Sequence, residues 1–522
     1  MRAFLINRSD VNDHSMRRYK MASENSDGQS LRKGRLGVAG IVFFVVAASA
    51  PLVGMTGAVP VAMLAGNLTG TPGTYLAVGL ALLLFSVGYA AMSNKVTNAG
   101  AFFAYVGKAF GPKAGVASAF ASIVGYITIQ LAIYGFFGGL MAGQMAAMGI
   151  DIPWFVWTLV AWAVVTGLSL LSVDVGAKVL GTLMIAELLS LLILAVAILV
   201  NGGPDGGVNL TASFSPENIL MGGITGGAGI AIAFAFASFI GFEATAIYGE
   251  ESINPKKTVA RATYWAIGII TALFSIVSLA MVTGMGVATL PDKIIEFSSV
   301  EGVPLANPAG VLFALSDQYV GTWLTQIMGW LVVSSLFAGL LAFQNATSRY
   351  FFAMGRSGVL GKSFARTNAS GAPQAGVILT SALAAAVVLV FTIAGLDPIL
   401  NLFFWMSSIT AISIFFVEIL VSLAVVVFFM REGGENVWKS KIAPIASAIV
   451  LSFGLYLLMS RFNLLAGTAP EGVDPSLPES AWALSPLGWS LALLPFVAAV
   501  LGLIVAQVRN VHHGKMVDDV LS

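Results

Sequence analysis

Few residues of this 522-residue chain could do chemistry, and the two most unusual are glutamates inside apolar runs, Glu187 and Glu243. Glu187 lies nine residues after Lys178, which along an α-helix corresponds to about 13 Å. Removal from water disfavours the charged form of a carboxyl group, which suits a group that takes up and releases a proton. We therefore predict Glu187 and Glu243 as candidate proton sites. The alternative is a structural role, in which a protonated Glu187 hydrogen-bonds to a neighbouring helix.

Other catalytic or metal-binding chemistry is not indicated. The chain has no cysteine, and its three histidines, His14, His512 and His513, lie near its ends. Disulfides, thiolate metal sites and cysteine nucleophiles are therefore excluded, and an enzyme that depends on imidazole is not predicted. The net charge of +1 gives no basic surface for nucleic acid. We expect no metal, no cofactor and no enzymatic activity.

The composition predicts an all-α, polytopic membrane protein. Hydrophobic residues make up 57% of the chain and charged residues only 10%, a balance that polar surface could not keep in solution. Residues 1–36 are polar, lack the apolar core of a signal peptide and are predicted to form a disordered cytoplasmic tail, and residues 509–522 form a second tail. Apolar runs long enough to cross a bilayer occur about twelve times, at roughly 37–66, 72–93, 114–148, 152–173, 179–200, 223–249, 263–289, 309–347, 374–395, 399–430, 442–460 and 485–508.

The distribution of positive charge agrees with twelve spans whose termini are both cytoplasmic. Lys and Arg are enriched in cytoplasmic loops of membrane proteins. With this topology, 24 of the 26 Lys and Arg residues fall on the cytoplasmic side, and the exceptions are Lys293 and Arg461. A wrong number of spans would abolish this bias.

Two of the spans contain helix-breaking residues at matching positions. Span 1 contains Pro51, Gly54, Gly57 and Pro60, and span 6 contains Gly241. Irregular backbone at membrane depth is tolerated where it is buried in protein or lines a cavity. Because spans 1 and 6 are an odd number apart, two five-span halves would have opposite orientations, as in secondary transporters that bind substrate between broken helices. The alternative is that Gly and Pro simply allow close helix packing.

Several separated motifs resemble the amino acid–polyamine–organocation (APC) permease superfamily. In FASFIGFEATAIYGEESINPKKTVARA, a Gly-Phe-Glu break leads into Glu-Glu, Asn-Pro and basic residues, as in that family. The segment QNATSRYFFAMGRSGVLGKSFARTNASGAPQAG is similar to the family's cytoplasmic segment after span 8. The stretches GAFFAY and FGP after span 2, and VWK before span 11, also occur where the family has similar residues. The resemblance covers residues 36 to 508.

The resemblance implies a LeuT-type fold, with a five-plus-five inverted repeat, broken helices 1 and 6, and two extra helices. One transmembrane domain would span 37–508, with repeats at about 37–200 and 223–430 and the extra helices at about 442–508. Unpaired amides and carbonyls at half-helix ends would bind the carboxylate and ammonium of a substrate. The predicted substrate-binding residues are Ser49, Ala50, Pro51, Leu52, Val53, Gly54, Tyr126, Ser238, Phe239, Gly241 and Phe242.

The chain departs from the family pattern at the break of span 1 and at Glu187. Residues 49–54 read Ser-Ala-Pro-Leu-Val-Gly instead of the usual Gly-x-Gly-Ile-Phe stretch, so a substrate without a carboxylate, such as a polyamine, stays open. Some relatives have a lysine linked to coupling where this chain has Glu187, so that mechanism is not carried over. Sodium-coupled relatives bind the ion between span 1 carbonyls and span 8 hydroxyls, which makes Ser334 and Ser335 a candidate Na⁺ site.

The sequence therefore predicts a secondary-active permease of the cell membrane that moves an amino acid or related amine by alternating access. The expected partners are the substrate, the lipid bilayer, and H⁺ or Na⁺ as the coupling ion. An importer of a putrescine-like polyamine and an amino acid exchanger are alternatives of the same fold, and a channel and a non-transporting sensor are alternatives of other classes. An inner gate is predicted from Glu250, Glu251, Arg349 and Arg356.

Overall fold

Twelve helices long and apolar enough to cross a membrane dominate the computed structural model. It describes residues 34, 36–96, 100, 102–171, 173–224, 226–300, 302–305 and 307–509, with the backbone alone at 173–180 and 250. The predicted all-α, polytopic architecture is confirmed, and the described part of the chain contains no β-strand. Spans 1 to 12 are Val38–Thr56, Thr71–Ser93, Pro112–Ala146, Trp154–Leu171, Val173–Asn201, Gly227–Ala246, Pro255–Met285, Thr322–Arg356, Gln374–Ile393, Pro398–Glu432, Trp438–Ser460 and Pro486–Val508.

Short helices lie in the connections between spans. They include Phe102–Phe110, Leu210–Phe214, Pro216–Ile219, Gly249–Glu251, Leu290–Ser298 and the turn Phe462–Leu465. The described tail residue Leu36 pairs with Ser252 in an isolated parallel β-bridge, which ties the start of span 1 to the end of span 6.

Several predicted span boundaries differ from the structure, and two of the differences have a clear cause. Span 7 begins at Pro255 rather than at 263, because proline at the first helical position lacks an amide that the helix does not need there. The predicted run 309–347 is two helices, Ala309–Tyr319 and Thr322–Arg356. Gly321 separates them with a φ of 122°, a conformation that other residues rarely adopt.

The first residues of span 1 and the last residues of span 12 lie at the same end of the helical bundle. Leu36 pairs with Ser252, after span 6, and late span 12 packs on early span 3, where a Cβ on Gly502 would lie 2.9 Å from the Cα of Ala117. We call this the N-terminal end of the bundle. The side of the membrane that it faces stays a prediction.

Spans 1 and 6 are both interrupted, and the interruptions pack on each other. The first half of span 1, Val38–Ser49, ends at Ala50, whose φ of 41° and ψ of 68° are left-handed. The first half of span 6, Gly227–Ser238, is followed by Gly241 with a φ of 113°. A Cβ on Gly241 would lie 2.8 Å from the Cβ of Ala48. The two breaks therefore form one site, while the inverted repeat itself stays a prediction.

Candidate functional site

A cavity of about 120 Å³ lies beside the two breaks. Its walls come from spans 1, 3, 6, 8, 10 and 11, from the residues just after span 1 and from the turn Phe462–Leu465. They include residues 49, 50, 53 and 54 of span 1 and Ser238 of span 6. Every lining side chain is aliphatic, aromatic or a hydroxyl, so no charged group lines the cavity among the described residues. Such walls suit a ligand with a small apolar group.

The hydroxyl groups at the breaks are already bonded to protein. Ser49 Oγ donates to the carbonyl oxygen of Val46 at 2.9 Å. Ser238 Oγ donates to the carbonyl oxygen of Phe234 at 2.9 Å and lies 3.0 Å from the hydroxyl of Tyr75. These bonds fix the serines to the preceding helical turn, so the remaining polar groups of the breaks are mainly backbone.

The backbone of span 1 offers both an acceptor and a donor at its break. The amide of Gly54 bonds the carbonyl of Ala50 at 3.1 Å, and the amide of Leu52 bonds Glu187. Within the described chain, no hydrogen bond pairs the amide of Val53 or the carbonyl of Ser49. Both residues line the cavity. A ligand that carries an acceptor and a donor could therefore satisfy both groups.

Glu187 caps the second half of span 1. Its Oε1 accepts a hydrogen bond of 2.8 Å from the amide of Leu52, the second residue of the half-helix Pro51–Thr56. A carboxylate is a favourable partner for a helix N-terminus, because it accepts a charge-assisted hydrogen bond from an amide there and lies at the positive end of the helix dipole. The side chain is 3% exposed. The carboxyl group of Glu187 therefore contacts the break of span 1 directly, through the amide of Leu52.

A second, very small cavity adjoins Glu187. Its volume of about 10 Å³ is near the minimum for one water molecule. Ser334 and Ser335 of span 8 line it together with Glu187, and the other described lining residues are aliphatic or methionine. Ser334 Oγ bonds the carbonyl of Leu331 at 2.9 Å. Glu187 is the titratable group in this set, and the predicted ion-site serines lie beside it.

Glu243 stabilises the break of span 6 and does not line the cavity. Its Oε2 accepts a hydrogen bond of 2.8 Å from the amide of Gly241, and its own carbonyl accepts one of 2.6 Å from the hydroxyl of Tyr89. Glu418 of span 10 is also buried, with 1% of its surface exposed. The proton role that the sequence predicts for Glu243 stays a prediction beside this structural role.

The remaining predicted substrate residues are not part of the cavity wall. Pro51, Leu52, Tyr126, Phe239, Gly241 and Phe242 are absent from its lining. The ring centroid of Tyr126 lies 5.6 Å from that of Tyr350, and the centroid of Phe239 lies 6.0 Å from that of Phe274. The structure thus gives these side chains packing contacts, and their roles in binding stay predictions.

A buried ion pair lies at the N-terminal end of the bundle. Arg349 at the end of span 8 makes two hydrogen bonds to Glu251, one of them 3.1 Å from Nη2 to Oε2. The guanidinium also lies 5.3 Å from the ring centroid of Tyr248, and the amide of Leu36 donates to the carbonyl of Glu251 at 3.1 Å. Of the other predicted gate residues, Arg356 lies over the ring of Phe352, and the side chain of Glu250 lies outside the described part.

Sequence reasoning missed much of the cavity wall. Span 10 contributes Phe403, Phe404 and the pair Ser407 and Ser408, and span 11 contributes Leu458. The serine pair interrupts an apolar run and could have been recognised as a polar signal. Leu458 could not, since nothing in the sequence distinguishes it from the other leucines of the apolar runs.

Gly241→Ala is expected to lower stability, because a φ of 113° is strained for alanine and its Cβ would approach that of Ala48 to 2.8 Å. Such strain costs about 1–3 kcal/mol. Gly268→Ala in span 7 is the control, since nothing lies within 4 Å of a Cβ there. Thermal unfolding of the purified variants measures the difference. An unchanged apparent Tm for Gly241→Ala would mean that the breaks do not pack as described.

The twelve spans, the paired helix breaks and the apolar cavity between them define a polytopic membrane protein of the permease class. The chain belongs to the amino acid permease family, whose sequence model matches residues 36–514. This match confirms the resemblance to APC permeases.

Individual relatives are distant. The chain is 25% identical over 328 residues to the branched-chain amino acid permease BcaP of Lactococcus lactis subsp. cremoris, which covers 58% of this chain and 64% of that protein, less than two thirds. It is 22% identical over 415 residues to BcaP of Bacillus subtilis, with 76% of this chain and 82% of that protein covered. The histidine permease of Saccharomyces cerevisiae is 24% identical over 275 residues, which cover 51% of this chain and 44% of that protein.

Proposed function

We propose that this protein is a secondary-active transporter that moves a neutral, aliphatic amino acid across the cell membrane by alternating access. The observation that carries the proposal is the uncharged cavity at the paired helix breaks. The names of the two BcaP relatives agree with an aliphatic substrate. We place both termini on the cytoplasmic side, as the positive-inside rule favours.

The backbone of the breaks would bind the charged groups that all amino acids share. The first halves of spans 1 and 6 both end at the cavity, so two helix C-termini, with their partial negative charge, face the substrate ammonium. The carbonyl of Ser49 is the unpaired acceptor there, and the amide of Val53 is the unpaired donor for the carboxylate. Backbone recognition leaves the side chain to be selected by the apolar walls.

The lack of charge in the walls argues against a cationic substrate. A buried ammonium or guanidinium without a counter-charge pays a large desolvation penalty. A polyamine importer would need at least one carboxylate near the far end of its substrate, and the described lining residues include none. The polyamine alternative is therefore less well supported than an aliphatic amino acid.

Closure at the N-terminal end supports alternating access over a channel. The ion pair of Glu251 and Arg349, with Tyr248 beneath it, blocks that end, and Tyr248 in turn stacks on Phe44 of span 1 at 5.1 Å between centroids. These contacts join spans 1, 6 and 8. They would have to separate before a substrate in the cavity could reach the cytoplasm, so we assign this group as the inner gate.

Proton coupling through Glu187 would use its bond to span 1. When ionised, the carboxylate accepts the amide of Leu52 in a charge-assisted bond. Protonation removes that charge and weakens the cap on the half-helix whose Val53 amide faces the substrate. Proton binding and substrate binding would thus act on the same half-helix, which is the structural requirement for coupling between two sites.

Uptake by purified protein in proteoliposomes tests the proposal. The panel consists of leucine, valine, alanine, lysine and putrescine, each with and without an inward proton gradient. We expect saturable uptake of leucine or valine, stimulation by the gradient, and little uptake of lysine or putrescine. Preferred uptake of putrescine would overturn the substrate class, and uptake of leucine that does not saturate would indicate a channel.

A further inference from the structure

Two leucines outside the predicted five-plus-five unit reach the substrate cavity. Leu458 lies near the end of span 11, and Leu465 ends the turn Phe462–Leu465 that follows it. Both line the cavity, and they are 1% and 5% exposed. The extra helices of this chain therefore contribute to the wall of the site.

Buried hydrogen bonds hold the turn in place. Arg461, whose surface is fully buried, donates from its guanidinium to the carbonyls of Leu477 at 2.8 Å and Pro478 at 3.2 Å. The amide nitrogen of the Asn463 side chain donates to the carbonyl of Ser480 at 2.8 Å. Bonds from a charged donor are stronger than neutral ones, so the connection between spans 11 and 12 fixes the position of Leu465.

Span 11 itself packs closely on spans 6 and 10. A Cβ on Gly454 would lie 2.6 Å from the ring of Phe415 in span 10 and 3.2 Å from the ring of Phe236 in span 6. The rings of Phe236 and Phe415 pack edge to face with centroids 4.5 Å apart. Leu458 is thereby held against the two spans that form the rest of this wall.

We propose that Leu458 and Leu465 form a rigid wall that sets the largest amino acid side chain the cavity accepts. The proposal rests on the proposed amino acid transport. Two rigidly held leucines exclude a larger side chain by steric contact, since a packed wall cannot yield by even one methylene without cost. Truncating either leucine opens space on the side of the cavity that faces the extra helices.

The test compares inhibition of leucine uptake by phenylalanine and by valine in Leu458→Ala and Leu465→Ala. The controls are Leu457→Ala and Leu464→Ala, neighbouring leucines that do not line the cavity. We expect the ratio of the phenylalanine to the valine inhibition constant to fall about tenfold in the two wall variants, as for one or two methylenes in a pocket. The ratio should stay unchanged in the controls.

The outcomes separate this inference from the proposed function. If wild-type protein takes up no amino acid, the proposed function and the inference both fail. If wild type takes up leucine but the inhibition ratio is unchanged in the wall variants, or shifts equally in the controls, the inference alone is wrong. Leu465→Val, which removes a single methylene, provides the same comparison with a smaller expected shift should Leu465→Ala not fold.

Discussion

Glu187→Gln is expected to abolish the stimulation of uptake by a proton gradient while preserving exchange of substrate across the membrane. Glutamine still offers an oxygen to the amide of Leu52, whose bond to Glu187 is 2.8 Å long, but it cannot take up a proton. The variant thus resembles the protonated state permanently. Without a difference in protonation there is no coupling free energy, so the ratio of uptake with and without the gradient should fall to about one.

The measurement is initial uptake of leucine in proteoliposomes, with and without the gradient, for wild type and variant. Glu296→Gln is the control, because it also removes one carboxylate but lies in an exposed connection, where it pairs with Lys293 at 2.7 Å. Its ratio should equal that of wild type. A Glu187→Gln protein that responds to the gradient as wild type does would show that the proton is carried elsewhere, and Glu243 would be the next candidate.

Arg349→Ala is expected to destabilise the inward-closed state strongly. The side chains of Arg349 and Glu251 are 3% and 10% exposed, and removing one partner of a buried pair leaves an uncompensated charge, at a cost of about 3–5 kcal/mol. The protein can relieve that charge by admitting water at the N-terminal end. The variant should therefore populate conformations open at that end.

Because the chain has no cysteine, one introduced thiol can report this opening. Ser408→Cys places it in the cavity wall, and a membrane-impermeant thiol reagent is applied from each side. We expect faster labelling from the side of the N-terminal end when Arg349→Ala is added. Lys293→Ala, which breaks the exposed pair with Glu296, is the control. It should lower the free energy of unfolding by under about 1 kcal/mol and leave the rate of thiol labelling unchanged. Equal labelling rates with and without Arg349→Ala would refute the gate.

The sequence predicts the spans and the positions of the breaks because both are local signals. Hydropathy over about twenty residues identifies a span, and proline or glycine inside it marks a break. The predicted apolar run of span 8 ends at about 347, because Arg349 follows polar residues that are typical of a loop. In the structure these residues stay helical to Arg356 and are paired with distant partners, as Gln344 is with Ser381 at 3.0 Å.

The details of the site depend on contacts between residues far apart in sequence. The position of Glu187 in an apolar run indicated a buried carboxyl group, but its partner Leu52 lies 135 residues away. The apolar wall residues Leu458 and Leu465 carry no chemical signal at all. Their place in the site follows only from the packing of span 11 on spans 6 and 10, which no local pattern encodes.

Calorimetry of leucine binding to purified wild type and Ser408→Trp tests whether this cavity is the substrate site. Ser408 lines the cavity and is 5% exposed, so an indole there would fill the proposed site. We expect that wild type binds leucine and that Ser408→Trp, with an apparent Tm near that of wild type, does not. Wild-type affinity in a folded Ser408→Trp protein would contradict the assignment of this cavity as the substrate site.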